Sequence, residues 1–257
     1  MTAPILSVIV PNYKTPELTK ICFRLLRKYT DTGKIRVIAI DNASGDASTE
    51  YLRKLTWIDL IERKVPEGEP GVLMHANALD EAFALVTTPY VMIMHTDTFC
   101  LHPDWLDYIL GHFDSDKTAG VGSWKLEPPR SLLWRTGHLL EEMFRRLFRK
   151  KTRQEIKYLR GHCAVYRTDL VRKYTNGFYD GDSAGRAMHI KLEAAGFNMV
   201  FLPSQELGKF ICHLNHATMI LNPGAKDRKT GKASAGIRLG KKMQVFQDVL
   251  EADDLDL

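Results

Sequence analysis

Asp97 follows an apolar run, YVMIM at residues 90–94, inside the stretch TPYVMIMHTDTFCLHP. The run is bounded by Pro89 on one side and by His95, Thr96, Asp97 and Thr98 on the other. Its length and β-favouring residues read as a buried strand, although periodicity alone also admits a short helix. In an open α/β sheet, ligands bind beyond the carboxyl ends of the strands. A carboxylate placed there can hold a divalent cation, and the cation can hold a diphosphate. The same residue can equally do no more than cap the next turn or helix. Two earlier apolar runs also end in polar residues. ILSVIV (residues 5–10) runs into Pro11, Asn12 and Tyr13, and IRVIAI (residues 35–40) runs into Asp41 and Asn42. A carboxylate such as Asp41 can accept from a nucleobase N–H or a ribose hydroxyl. Together the three tips suit a nucleoside diphosphate.

The elements between these tips alternate. Thr15 and Pro16 start a helix over 16–29, with Leu18, Ile21, Cys22, Leu25 and Leu26 on one face. A second helix is predicted over 48–55 and a third strand over 58–62. Strand–helix alternation predicts a parallel sheet. No GxGxxG follows the first strand, which argues against a dinucleotide-binding domain, and no GxxxxGK[ST] marks a P-loop.

The 257 residues are 44% hydrophobic and 26% charged, as in water-soluble globular chains. No apolar run is long enough to span a bilayer, and the N-terminus lacks a signal-peptide layout. Cys22, Cys100, Cys163 and Cys212 are scattered and form no CxxC pair, which fits free thiols in a reducing cytoplasm. The net charge of +5 is modest but uneven along the chain.

Three segments carry a resemblance: SVIVPNYKTPELTKICFRLL, VIAIDNASGDAST and GVLMHANALDEAFALVTTPYVMIMHTDT. In this order and spacing they resemble the first half of family 2 glycosyltransferases of the GT-A fold. That fold is α/β, with a mixed, mostly parallel sheet flanked by helices. The resemblance covers roughly the first hundred residues; each motif is weak alone and the ordered set is fairly specific. It implies that Pro11, Asn12 and Tyr13 line the nucleotide pocket, that Asp41 contacts the base, and that Ser44 and Asp46 shape the loop beneath it. It places Gly71, His75 and Asn77 near the nucleotide and donor sugar, with His95 and Thr96 beside them. Asp97 would bind Mg²⁺ or Mn²⁺, whereas His95 takes the place of the first acid of the family's DxD.

The second half continues with a helix over 104–113, a strand over 119–124, a strand over 161–166, a helix over 169–174 and a helix over 186–195. A strand at 199–202 precedes FICHLNHAT. The family often places a histidine after this strand to complete the metal site, which implies a role for His213 or His216. Imidazole with carboxylate suits Mn²⁺ better than Mg²⁺. The family's acid pair, counted back from Gly196, falls on Ala184 and Gly185, neither of which can move a proton. Inverting transfer needs a base; Asp182, then Asp180, are the nearest acids, and Asp182 can equally be a helix cap.

The expected organisation is one domain over 1–222, with a nucleotide-sugar half over 1–103 and an acceptor half over 104–222. Residues 131–160 form an amphipathic basic insert, which reads equally as a contact with an anionic membrane face or as a cover for the acceptor cleft or a dimer interface. Residues 223–257 read as a flexible basic tail with a short helix over 241–250. The implied activity is inverting transfer of a sugar from a nucleoside-diphosphate sugar to a glycan or lipid-linked acceptor. Its expected setting is surface polysaccharide or lipopolysaccharide synthesis in the cytoplasm, at the inner face of the membrane. Nucleic acid is not an expected partner, since no reading module accompanies the basic run; a homo-oligomer is compatible with the sequence. The missing acid pair leaves a competing expectation, a nucleotide-sugar or glycan binding module without turnover.

Overall fold

The structure, a computed structural model, describes residues 3–69, 71–126, 156–179, 184–222 and 233–257. Most of the 131–160 insert, the start of the 223–257 tail, and both Asp180 and Asp182 lie outside the described residues.

A seven-stranded sheet organises the chain. Its strands are β1 (Leu6–Asn12), β2 (Ile35–Asp41), β3 (Asp59–Glu62), β4 (Tyr90–Ile93), β6 (Thr118–Gly122), β7 (Ala164–Arg167) and β8 (Asn198–Phe201). They are arranged in the order β3-β2-β1-β4-β7-β6-β8. β1 to β4 pair in parallel, as strand–helix alternation predicts. β7 runs antiparallel to both β4 and β6, which makes the sheet mixed. A small antiparallel pair, β5 (Thr98–Cys100) with β9 (Ile211–His213), stands apart from the main sheet.

Side chains of successive strand residues feed opposite faces. On one face Val8, Val10, Val37, Ala39 and Met92 pack with α1 (Pro16–Lys28) and α2 (Ala47–Lys54). On the other, Ile9, Ile38, Ile40, Val91 and Ile93 pack with α3 (Gly71–Phe83), α5 (Thr168–Tyr174) and α6 (Arg186–Ala194). Between these elements lies α4 (Trp105–Leu110), shorter than the 104–113 helix expected from sequence. Strands buried on both faces need near-continuous apolar sequence, which is why ILSVIV and IRVIAI read so plainly.

After β8 come α7 (Ser204–Leu207), then β9, then α8 (Ala217–Leu221). The described part of the tail is helical and packed. It comprises α9 (Ala233–Met243), a 3₁₀ turn, α10 (Gln247–Glu251) and a final 3₁₀ turn (Asp253–Asp256), where the sequence reading expects a flexible segment with one short helix. Leu239 and Met243 of α9 are buried in the core, and Arg24 of α1 holds the last residues. Its guanidinium is buried and bonds Asp253 and Asp256 and the carbonyls of Val249 and Leu250. Phe246 also meets Phe99 of β5, ring edge to face, at 4.8 Å. No described helix is long and apolar enough to cross a membrane.

Candidate active site and metal centre

The carboxyl ends of β1, β2 and β4 carry one connected polar network. Asn12 Nδ2 donates to Asp41 Oδ1 at 2.6 Å and to Ser48 Oγ at 2.8 Å. Asp41 also accepts from the Ser44 backbone N–H, the Ser44 hydroxyl and the Thr49 hydroxyl. Four donors fill the accepting sites of this buried carboxylate, so a nucleobase N–H could reach it only by displacing one of them. On its other side, Asn12 Oδ1 accepts from Thr19 at 2.7 Å and from Thr15 at 3.4 Å, and Thr15 lies 3.1 Å from the Thr96 hydroxyl. Thr15 therefore ties β1 to the end of β4 instead of capping α1 through its side chain.

Lys14 and Ala43, just after β1 and β2, hold left-handed backbone (φ 50° and 55°). Such conformations are uncommon outside glycine and cluster at sites over-determined by their surroundings. The Lys14 N–H bond to Ser44 Oγ, at 3.0 Å, locks the two turns together. Tyr13, half-buried, offers its carbonyl to Asn222 at 3.3 Å, and Pro11 lies within β1.

Beyond β4, His95, Asp97 and His213 bring three ligand atoms within 4.8 Å of one another. Their neighbours explain the convergence. β5 starts one residue after Asp97 and pairs Thr98 with His213. The Leu214 N–H then donates to the Asp97 carbonyl at 2.9 Å, and the Ala217 N–H donates to Asp97 Oδ2 at 3.1 Å. The other oxygen, Oδ1, stands 3.3 Å from His213 Nε2. Asp97 is only 3% exposed. Burial alone would push its carboxyl up; the His213 and His95 imidazoles and the Ala217 N–H outweigh burial and bring it down to about 2. His95 moves the same way for another reason: burial lowers its imidazole to about 4, against the pull of Asp97. At neutral pH the pair is therefore an ionised carboxylate beside an uncharged imidazole, the protonation states a cation requires.

The donor set passes a structural test for a metal. His95 Nε2, Asp97 Oδ1 and His213 Nδ1 are buried and have no hydrogen-bond partner among the described residues. Buried polar atoms are normally satisfied, so the unpartnered His95 Nε2 and Asp97 Oδ1, the latter with His213 Nε2 turned toward it at 3.3 Å, need an explanation. The 3.3 Å separation of Asp97 Oδ1 and His213 Nε2 is close to that of two adjacent ligands of an octahedral ion with bonds of roughly 2.1 Å. The group fits a divalent cofactor, Mn²⁺ or Mg²⁺, and its two nitrogens favour Mn²⁺.

Other sequence-derived candidates fall around this centre. His75, on α3, sets its ring edge against His95 with centroids 5.2 Å apart. Asn77 does not reach the histidines through any hydrogen bond described; its amide donates to Glu69 at 2.6 Å, and Glu69 in turn grips Arg63. Gly71 begins α3. His216 is not part of the three-residue group. It is exposed, holds a left-handed backbone (φ 63°) at the start of α8, and lines a shallow cavity of about 190 Å³ with Ile220, Arg238 and Lys242.

Sequence reasoning missed His162 and Ser123. His162 is buried and stacks on His213 with rings 4.5 Å apart and 13° from parallel. Its Nε2 shares a 2.8 Å hydrogen bond with Ser123 Oγ. Burial, then the nearby His213 and His95, lower its imidazole to about 2. The signal was hidden by strand topology. Ile93 pairs antiparallel with Ala164, and continuing that register sets His95 opposite His162. A reading that begins the strand at Gly161 hides this.

The architecture, a mostly parallel seven-stranded sheet flanked by helices, is the GT-A fold. A mannosyltransferase from Pyrobaculum calidifontis, solved in complex with GDP-Man and Mn²⁺, is similar at a TM-score of 0.60 and 18% identity, over 98% of this chain and 69% of that one. Glucosyl-3-phosphoglycerate synthase from Mycobacterium tuberculosis, in complex with Mn²⁺, UDP and glucosyl-3-phosphoglycerate, gives 0.51 and 18% over 80% and 75%. TarS 1-349 of S. aureus with UDP gives 0.51 and 15% over 77% of this chain, and only 57% of its own length. No curated protein matches the chain in sequence. Residues 7–175 match the Glycosyl transferase family 2 profile, and the chain belongs to that family.

Proposed function

We propose that the chain is an inverting, metal-dependent glycosyltransferase that moves a sugar from a nucleoside-diphosphate sugar to a hydroxyl of a glycan or lipid-linked acceptor. The observation that carries this is the His95–Asp97–His213 group, with its buried orphan atoms beyond the end of β4. A bound cation supplies Lewis-acid stabilisation of the leaving diphosphate. Asp97, fixed by the Ala217 N–H, stays ionised to hold it. The network of Asn12, Asp41 and Ser44 keeps the floor of the nucleotide pocket rigid, and Pro11, Tyr13, His75 and Thr96 border it. Asp182 is the proposed base for the acceptor hydroxyl, with Asp180 the next candidate. Synthesis of a surface polysaccharide or lipopolysaccharide at the inner face of a membrane is the setting we propose, supported by the basic amphipathic character of residues 131–160.

The test is a panel of UDP-, GDP- and dTDP-sugars with Mn²⁺, read as transfer and as donor hydrolysis. Asp97→Ala is expected to lower turnover at least ~100-fold, since Lewis-acid stabilisation is worth several kcal/mol. Full activity in that variant would sink the mechanism. Donor binding without turnover by the unmodified chain would favour the competing reading, a binding module, which the neutral residues Ala184 and Gly185 motivate.

A further inference from the structure

A metal-binding histidine usually donates its second ring nitrogen to a carbonyl or carboxylate, which fixes the ring's orientation. His213 lacks that device among the described residues. Its Nε2 faces Asp97 Oδ1 at 3.3 Å, and its Nδ1 is buried without a hydrogen-bond partner. The ring is nevertheless packed on one side by His162, nearly parallel, at a centroid distance of 4.5 Å. His162 is itself held. Ser123, fully buried just beyond β6, bonds its Nε2 at 2.8 Å.

The backbone supports the same arrangement. The Arg160 N–H donates to the Ser123 carbonyl at 3.0 Å, and the Cys163 N–H donates to the Arg160 carbonyl at 3.2 Å. The turn that carries His162 is thus tied to the strand end that carries Ser123. The neighbouring Gly161 gives His95 room: a Cβ there would lie 3.2 Å from His95 Nε2. Two adjacent residues of one turn therefore serve two imidazoles of the metal group, one by leaving space and one by filling it.

We propose that His162 is a positioning residue for the metal-binding imidazole of His213, acting through a ring stack that Ser123 holds in place. The inference rests on the metal reading of the His95–Asp97–His213 group. It assigns His162 no bond to the cation and no proton to move. A flat ring is what the role requires.

The experiment measures Mn²⁺ binding to the full chain by the electron paramagnetic resonance of free Mn²⁺, with thermal melting alongside. His162→Ala is expected to weaken binding ~10-fold or more, the range typical when a metal ligand loses its orienting partner. His162→Phe keeps a flat ring and is expected to stay within ~3-fold of the unmodified chain. Ser123→Ala, which frees the His162 ring to turn, is expected to fall between the two. The proposal is overturned if His162→Ala folds and binds Mn²⁺ as tightly as the unmodified chain. It is also overturned if His162→Phe folds and is as weak as His162→Ala, because packing by a ring would then not be the cause. Should His162→Ala fail to fold, the decision passes to the other two: tight binding by His162→Phe with weaker binding by Ser123→Ala supports the stack, and equal binding overturns it. If the unmodified chain itself binds no Mn²⁺, the metal reading fails first, and that result is distinct from all of these.

Discussion

Asp97 owes its state to groups from three parts of the chain: His95 beside it, His213 from β9 and the Ala217 N–H at the start of α8. Crowding at this point makes small changes costly. Gly161→Ala would set a methyl 3.2 Å from His95 Nε2, tighter than ordinary van der Waals contact. The expected result is a fold that melts within a few degrees of the original and a Mn²⁺ affinity reduced several-fold by titration, because the imidazole must give way. Asn12 has a different role. Asn12→Ala removes donors to Asp41 and Ser48 and the acceptor for Thr19, all buried. Leaving such groups unpaired costs ~1–3 kcal/mol apiece, so a loss of about 3 kcal/mol is expected in a urea titration. A loss below about 0.5 kcal/mol would mean the network is not what holds the β1 and β2 tips together. Asp41 and Asp97 were legible as residues because each follows an unbroken apolar run. His162 was not, because nothing local distinguishes a histidine that stacks on another from one that merely fills a core.

At the scale of elements, the parallel strands were legible because burial on both faces forces apolar runs of strand length. The antiparallel placement of β7 was not, since pairing direction depends on connections that periodicity does not record. The packed tail was also missed: α9 begins at Ala233 in a stretch whose glycines, alanines and lysines read as mobile. α3 shows how an element can position a loop it does not contain. Asp80 on α3 accepts from the Phe178 N–H at 2.5 Å and from the Tyr179 N–H at 3.0 Å. Gly177 turns there with φ 105°, and a Cβ on it would meet Asp80 Oδ1 at 2.3 Å, so only glycine fits. The Gly185 N–H returns to the Phe178 carbonyl at 2.9 Å, tying together the described residues on either side of 180–183. Asp80→Asn replaces one accepting oxygen with an amide that opposes an N–H. The expected cost is about 2 kcal/mol in denaturant, with turnover falling more than donor affinity. An equal fall in both would point to a general loss of fold and not to the loop.

Across the whole molecule, a buried cation, Arg24 of α1, helps fasten the C-terminal segment to the rest of the chain. Arg24 is 1% exposed, and its fork meets Asp256 at 2.6 and 2.8 Å while Tyr51 donates to the same carboxylate at 2.7 Å. Burial pushes the Asp256 carboxyl up, but the Arg24 and Tyr51 hydrogen bonds outweigh it, and the net direction is down. A carboxyl depressed in the folded state stabilises fully above its unfolded value, near ~3.9. That contribution is lost as pH falls through the lower folded value, because the folded state then takes up the proton it had refused. Removing one partner of a trapped buried pair costs ~3–5 kcal/mol. Here the segment can undock and let water reach the guanidinium, which limits the expected cost of Asp256→Asn to about 2 kcal/mol at pH 7. Denaturant midpoints measured from pH 7 to pH 3 should show the gap between the unmodified chain and Asp256→Asn narrowing below about pH 4. A gap that stays constant over that range would show that Arg24 uses the shape of the Asp256 side chain and not its charge. The Val249 and Leu250 carbonyls, which bond the same guanidinium at 3.0 and 2.6 Å, would then be what keeps the tail in place.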